Sequence, residues 1–206
     1  SELKVIKKNA DNEEKSSLVL EIPKFWSNKN IVFKNNFAEY DRKKMYYKDV
    51  VAMSYHGVRN STYGIETSQK YTFSIMSSND GITFTFSGDE DLWYKLIDIA
   101  KQVIEPVIIE KLVKSIFEKE QTFSIGNVDF DKKGYHRSKF FGGVESVFWK
   151  DTIYIPQFSQ GYVILFKNKD GVGKKFTTIS MEDSNAVVLP ELLKACVEEY
   201  TIHNQK

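Results

Sequence analysis

Residues 71–121 read YTFSIMSSNDGITFTFSGDEDLWYKLIDIAKQVIEPVIIEKLVKSIFEKEQ, and a change of period inside this stretch decides the fold. Tyr71, Phe73 and Ile75 alternate with Thr72 and Ser74, and Ile82, Phe84 and Phe86 alternate with Thr83 and Thr85. A period of two is that of a strand with one buried face. Asn79-Asp80-Gly81 between the runs predicts a tight hairpin, with Gly81 free to take positive φ. After Ser87 the apolar spacing becomes three and four, so that Leu92, Leu96, Ile99, Ala100, Val103 and Ile104 form one helical stripe. Ser87-Gly88-Asp89-Glu90 predicts a capping box with Ser87 as N-cap, and Asp89, Glu90 and Asp91 complement the positive end of the helix dipole. Pro106 removes a hydrogen bond and clashes with the preceding turn, which predicts a kink or a second helix opening there. Ile108, Leu112, Val113, Ile116 and Phe117 form that second stripe.

Short strand-like runs precede this stretch: SLVLEIPKFW, IVFKNNFAEYD, KKMYYKD, VVAMSYHG and STYGIETS. Others follow it, among them GVESVFW, TIYIPQF, GYVILFK and KKFTTIS. Ser180-Met181-Glu182-Asp183 repeats the Ser-x-x-acid signature, and a last helix opened near Pro190 carries Leu192, Leu193, Cys196, Val197 and Tyr200. Landmarks return in the same order. Tyr40-Asp41-Arg42-Lys43 matches Phe130-Asp131-Lys132-Lys133, Tyr55-His56 matches Phe148-Trp149, Tyr71 matches Tyr162, Asp80-Gly81 matches Asp170-Gly171, and Ser87 matches Ser180. The offsets drift from 90 (41 to 131) to 93 (87 to 180), as small loop insertions make them do. An ordered set of this kind reads as an internal repeat.

A chain of 206 residues holds one large domain or two small ones. With 15 Phe, 11 Tyr and 3 Trp, two modest domains can each build a core. Lys plus Arg is 29 and Asp plus Glu 28, a balance that gives no general attraction to nucleic acid, and none is expected as a partner. The single Cys196 forms no internal disulfide and suits a reducing, cytoplasmic compartment. No apolar run reaches the ~20 residues of a membrane span. No signal-peptide pattern opens the chain, which begins at Ser1 rather than Met, and a removed targeting segment stays open.

The run YDRKKMYYKDVVAMSY, residues 40–55, resembles the early part of the bacterial pleckstrin-homology-like (PH-like) domain: strand, Asp-x-(Arg/Lys) turn, strand, then a Lys-Asp-Val approach to the next strand. FDKKGYHRSKFFGGVESVFW, residues 130–149, resembles a degraded copy. The two hairpin-plus-helix segments resemble the end of the same fold. The resemblance runs from about Ile31 onward, through short and mainly structural motifs, and departs from the pattern at Ile31–Asn36 and at the Gly142-Gly143 insertion. It implies an α+β chain, mainly antiparallel β, with two PH-like sandwich or barrel modules in tandem, each closed by a C-terminal helix. The expected layout is a polar N-terminal arm at 1–17, module one at 18–105, a helical connector at 106–121 and module two at 122–206.

Candidate chemistry is sparse. His56, His136 and His203 lie far apart at no metal-ligand spacing, and Cys196 on an apolar stripe reads as a small core residue. Gly142-Gly143 is not followed by the Lys-Ser/Thr of a phosphate loop. No catalytic constellation, metal or cofactor is expected. Two groups of cations remain, Arg42, Lys43 and Lys44 in the first copy and Lys132, Lys133, Arg137 and Lys139 in the second, the latter with His136, Tyr135 and Phe140 among them. In PH domains that bind phosphoinositides, cations of the first inter-strand loop hold the phosphates, so the resemblance makes these turns a candidate for anionic lipid headgroups. The plainer reading, and the preferred one, is that they are solvated turn residues offset by Asp41, Asp49, Asp129 and Asp131. The expected function is therefore non-catalytic: an interaction or scaffold protein binding a protein or peptide, with a second copy of the chain as a further candidate partner. The alternative is a membrane-peripheral module that binds anionic lipid, and an enzyme of unrecognised type ranks last.

Overall fold

The computed structural model describes residues 18–22, 31–62, 65–152 and 155–204, with only the backbone described at 18–22, 60–62 and 65–68. The expected arm at 1–17 and Pro23 lie outside the described residues. The architecture is α+β, with antiparallel sheets and, among the described residues, three α-helices, the last of them following the final strand. The chain divides into two compact units, 1–107 and 108–206.

Unit 1 begins with a four-stranded meander, β1 (Leu18–Ile22), β2 (Ile31–Lys34), β3 (Phe37–Tyr40) and β4 (Lys43–Tyr46). A single 3₁₀ turn, Tyr47–Asp49, leads into a three-stranded meander, β5 (Ala52–Thr62), β6 (Ile65–Met76) and β7 (Gly81–Ser87). The alternation at 71–86 does what its period demands. Phe73 pairs with Phe84 and Ile75 with Ile82 across β6–β7, and all four are buried. On the opposite face Ser74 and Thr83 hydroxyls lie 2.8 Å apart. Burying each of these large apolar side chains is worth about 1.5–3 kcal/mol before entropy is counted. Phe33 meets Phe73 edge-on at 5.7 Å and Tyr40 meets Phe84 at 5.5 Å, so the two open sheets share one core.

Helix α1 (Glu90–Val103) follows β7, and α2 (Glu105–Phe117) follows α1 after the single residue Ile104, with the unit boundary inside α2. Pro106 is the second residue of α2, where its missing N–H costs nothing, so the second helix opens at the proline as its chemistry dictates. The stripe of α1 buries Leu92, Leu96 and Ala100. It also buries Trp93, which stacks on Tyr71 at 4.9 Å. Two local expectations are corrected. The N-cap of α1 is Asp89, whose carboxylate accepts from the Leu92 N–H at 2.9 Å; Ser87 is still in β7. Gly81 is the first residue of β7 and not a positive-φ turn residue; Ser77–Asp80 make the turn, closed by Ser77 N–H to the Asp80 carbonyl at 2.8 Å.

Unit 2 repeats the order. Its first meander is β8 (Phe123–Ile125), β9 (Val128–Asp131), β10 (Gly134–Ser138) and β11 (Val144–Phe148). A 3₁₀ turn, Trp149–Asp151, precedes the second meander, β12 (Gln157–Ser159), β13 (Tyr162–Lys169) and β14 (Val172–Ser180). Asp170 and Gly171 both take positive φ, so this hairpin is the two-residue turn that Asp-Gly predicts. Ser180 Oγ accepts from Glu182 N–H in a turn and caps no α-helix, contrary to its signature; α3 (Leu189–Asn204) starts later, with Pro190 in its first turn. Trp149, Tyr135, Phe130 and Phe176 form the aromatic core, and the Tyr135 hydroxyl donates to the Phe166 carbonyl at 2.8 Å, tying the two sheets. Cys196 is buried on α3, and burial pushes its thiol up to about 12, consistent with a packing role.

Strand order corrects the matching of the repeat. The Asp41 turn joins the third and fourth strands of unit 1, whereas the Asp131 turn joins the second and third of unit 2. Tyr55 lies in β5, while Phe148 ends β11. The residues equivalent to Phe148-Trp149 are Tyr46-Tyr47, each pair ending the fourth strand and opening a 3₁₀ turn of sequence aromatic-Lys-Asp.

Candidate functional site

The seven cations singled out in the sequence do not form one cluster. In unit 1, Arg42 sits with Asp41 in a two-residue turn, both at positive φ, and is exposed. Lys43 Nζ donates to Asp80 Oδ1 at 2.8 Å, bracing this turn against the β6–β7 turn. Lys44 lies over the Phe37 ring at 4.2 Å, using its charge on an aromatic face. In unit 2, Lys132 and Lys133 precede β10, whereas Arg137 and Lys139 lie at its far end. From Lys133 to Arg137 the strand advances four residues, which separates the two pairs by roughly 13 Å.

The turn before β10 is organised by a carboxylate. Asp131 Oδ1 accepts from the N–H groups of Lys133 and Gly134 at 2.7 and 3.1 Å, and His136 Nε2 lies 3.0 Å from the same oxygen. Partial burial alone would raise this carboxyl; His136 and the two N–H groups outweigh it and hold it below the usual carboxylate range. Lys132 pairs with Glu120 at 2.7 Å, an exposed contact that solvent and salt screen.

The far end of β10 differs. Arg137 donates from Nε and from Nη2 to Glu145 Oε2 at 3.0 and 2.7 Å, and its guanidinium lies 4.9 Å from the Phe176 ring centre. Lys167 from β13 donates to Glu145 Oε1. Glu145 thus ties the β10–β11 hairpin to β13, and first Lys167, then Arg137, hold its carboxyl below the ordinary range. Beyond these residues the hairpin projects. Pairing of β10 with β9 stops at His136–Asp129, while pairing with β11 continues to Ser138–Val144. The loop Lys139-Phe140-Phe141-Gly142-Gly143 closes it, with both glycines at positive φ and both phenylalanines more than nine-tenths exposed.

A second feature lies on α3. Thr152, Ile155, Pro156, Pro190, Leu193 and Val197 line an apolar groove of about 210 Å³, with Lys194 and Glu198 at its polar margin. Ile155 and Pro156 of the lining lead directly into β12, whose other side is unpaired among the described residues, so that β12 forms a sheet edge. Phe158 of β12 is opposite buried Val163, and opposite residues share a face. Phe158 nevertheless remains 44% exposed, so this end of the core face is open.

The groove residues were not distinguished in the sequence, because Leu193 and Val197 lie on the same stripe as the core residue Cys196 and spacing cannot separate the two uses. The tip did carry a signal: consecutive Phe140-Phe141 cannot both face one core from a strand, and the two glycines mark a loop. Among the described residues no three His, Cys, Asp or Glu side chains gather as a metal site, and no helix is long and apolar enough to cross a membrane. Comparison with family models, curated proteins and solved structures finds no match to the chain.

Proposed function

We propose that the chain is a non-catalytic interaction protein made of two PH-like modules, and that its second module binds an extended peptide segment of a protein partner. The repeated order of four strands, a 3₁₀ turn, three strands and a helix supports the modular reading. The observation that carries the binding reading is the apolar groove on α3, lined also by Ile155 and Pro156 where the chain enters the edge strand β12. An edge strand offers main-chain hydrogen bonds to an added strand, and an adjacent apolar groove takes alternate side chains of that strand. Ile155 in the lining supplies exposed apolar surface, Phe158 of the edge strand adds more, and Lys194 and Glu198 give both signs of charge for orientation.

A displayed library of random peptides, panned against the whole chain, tests this. Enrichment of peptides with alternating apolar residues is expected. Ile155→Glu or Val197→Arg, both at positions that are not fully buried, should weaken the selected peptides at least about tenfold. Failure to enrich any peptide, or undiminished binding to both variants, would overturn the proposal.

A further inference from the structure

We infer that the β10–β11 tip of unit 2, together with the adjoining β13–β14 hairpin, is a docking face for an anionic bilayer. The inference stands apart from the peptide groove and rests on different residues. Phe140 and Phe141 are 95% and 97% exposed and meet edge-on at 5.1 Å. Val144 at the base of the loop and Val172 in the neighbouring hairpin are exposed as well. The apolar surface is therefore a protrusion, not a groove. A rigid partner needs a pre-shaped pocket to cover a protrusion, whereas the fluid interface of a bilayer closes around it.

Charge selects the kind of bilayer. The contacts of Glu145 with Arg137 and Lys167, and of Arg137 with Phe176, bring the ends of the two hairpins together. That end carries six cations, Arg137, Lys139, Lys167, Lys169, Lys174 and Lys175, against two carboxylates, Glu145 and Asp170. Lys167 pairs directly across the strands with Lys174, a like-charge pair that is unfavourable unless an anion lies near both. Glu145 meets this demand for Lys167, while Lys174 and Lys175 remain exposed. An anionic surface supplies the missing charge to the cations while the bilayer takes the phenylalanines. A second copy of the chain through this same face would set six cations against six, so it is not the occupant.

The test is co-sedimentation of the full chain with vesicles of phosphatidylcholine, with and without phosphatidylserine. Binding is expected to the vesicles containing phosphatidylserine only, and to weaken as salt rises. Phe140→Ser/Phe141→Ser should lower the bound fraction at least about tenfold, and Lys174→Gln/Lys175→Gln should lower it as well. All four positions are exposed, so circular dichroism should show these variants folded. A dye on Phe141→Cys, with Cys196 buried, should shift to the blue on these vesicles. No binding to phosphatidylserine vesicles at low salt, binding unchanged by the double Phe variant, or an unshifted dye would each overturn the inference, and would leave the peptide groove untouched.

Discussion

The Tyr47 hydroxyl donates to the Lys34 carbonyl at 2.6 Å, and Trp149 makes the equivalent bond one unit later, from its indole N–H to the Asp131 carbonyl at 3.0 Å. Lys34 ends β2 and Asp131 ends β9, the second strand of each unit. The backbone repeats the arrangement: Tyr47 N–H bonds the Asn36 carbonyl, and Trp149 N–H the Lys133 carbonyl, each at 3.0 Å. Both rings are buried, so each aromatic residue pins the end of the fourth strand to the end of the second while filling the core. Burial also pushes the Tyr47 phenol up, against the bond to Lys34, and keeps it a donor.

Tyr47→Phe keeps the ring and removes the donor, which leaves the Lys34 carbonyl short of a partner. A loss of about 1 kcal/mol is expected. Trp149→Phe also removes buried volume, and about 2–3 kcal/mol is expected. Chemical denaturation followed by circular dichroism reads both as a lower midpoint. An unchanged midpoint for Trp149→Phe would show that the pin is not a stabilising feature.

Gly134 is a position with no room for a side chain. A Cβ there would lie 2.0 Å from the Val147 carbonyl oxygen and 2.8 Å from Phe148 Cα. Gly134→Ala should therefore force β10 away from β11 and cost about 3 kcal/mol or more. Gly143 in the tip loop has nothing within 4 Å and φ +82, so Gly143→Ala should cost only about 1–2 kcal/mol of backbone strain. Thermal melts of the two variants side by side decide the point, and equal losses would count against the clash.

Periodicity made the β6–β7 face and the stripe of α1 legible, because solvent on one face and core on the other leaves a trace at every second or every third and fourth residue. The break at Pro106 was legible for the same local reason. The correspondence between the units was not. Asp41-Arg42 and Asp131-Lys132 look alike because Asp suits turns in general, yet the first is a turn of two positive-φ residues and the second is built on side-chain capping of Lys133 and Gly134. What identifies equivalent positions is a long-range bond from Tyr47 or Trp149, and no local pattern carries that. The spacing of the basic residues was not legible either: Lys133 and Lys139 are close in sequence, but an intervening strand puts them at opposite ends of β10.

Helix capping separates two neighbouring residues that sequence could confuse. Asp89 accepts from Leu92 N–H, and its charge also faces the positive end of α1. Asp89→Ala should cost about 1 kcal/mol. Ser87, exposed in β7, should tolerate alanine within about 0.5 kcal/mol. Equal effects of the two substitutions on the denaturation midpoint would return the capping role to Ser87.

Glu145 makes stability depend on pH in a direction that can be worked out. Its side chain is only 15% exposed and is held by Lys167 and Arg137, which lower its folded pKa. The unfolded chain releases it to about 4.3. The folded state therefore binds fewer protons in the acid range, so the stabilisation is fully present above the unfolded value and is lost as pH falls through the folded one. At neutral pH, Glu145→Gln leaves two half-buried cations without their anion, and about 1.5–3 kcal/mol should be lost. That difference from the parent chain should shrink steadily below about pH 4.3. Denaturation midpoints measured for both proteins across this range provide the check, and a gap independent of pH would show that the ion pairs with Lys167 and Arg137 do not couple the hairpins through charge.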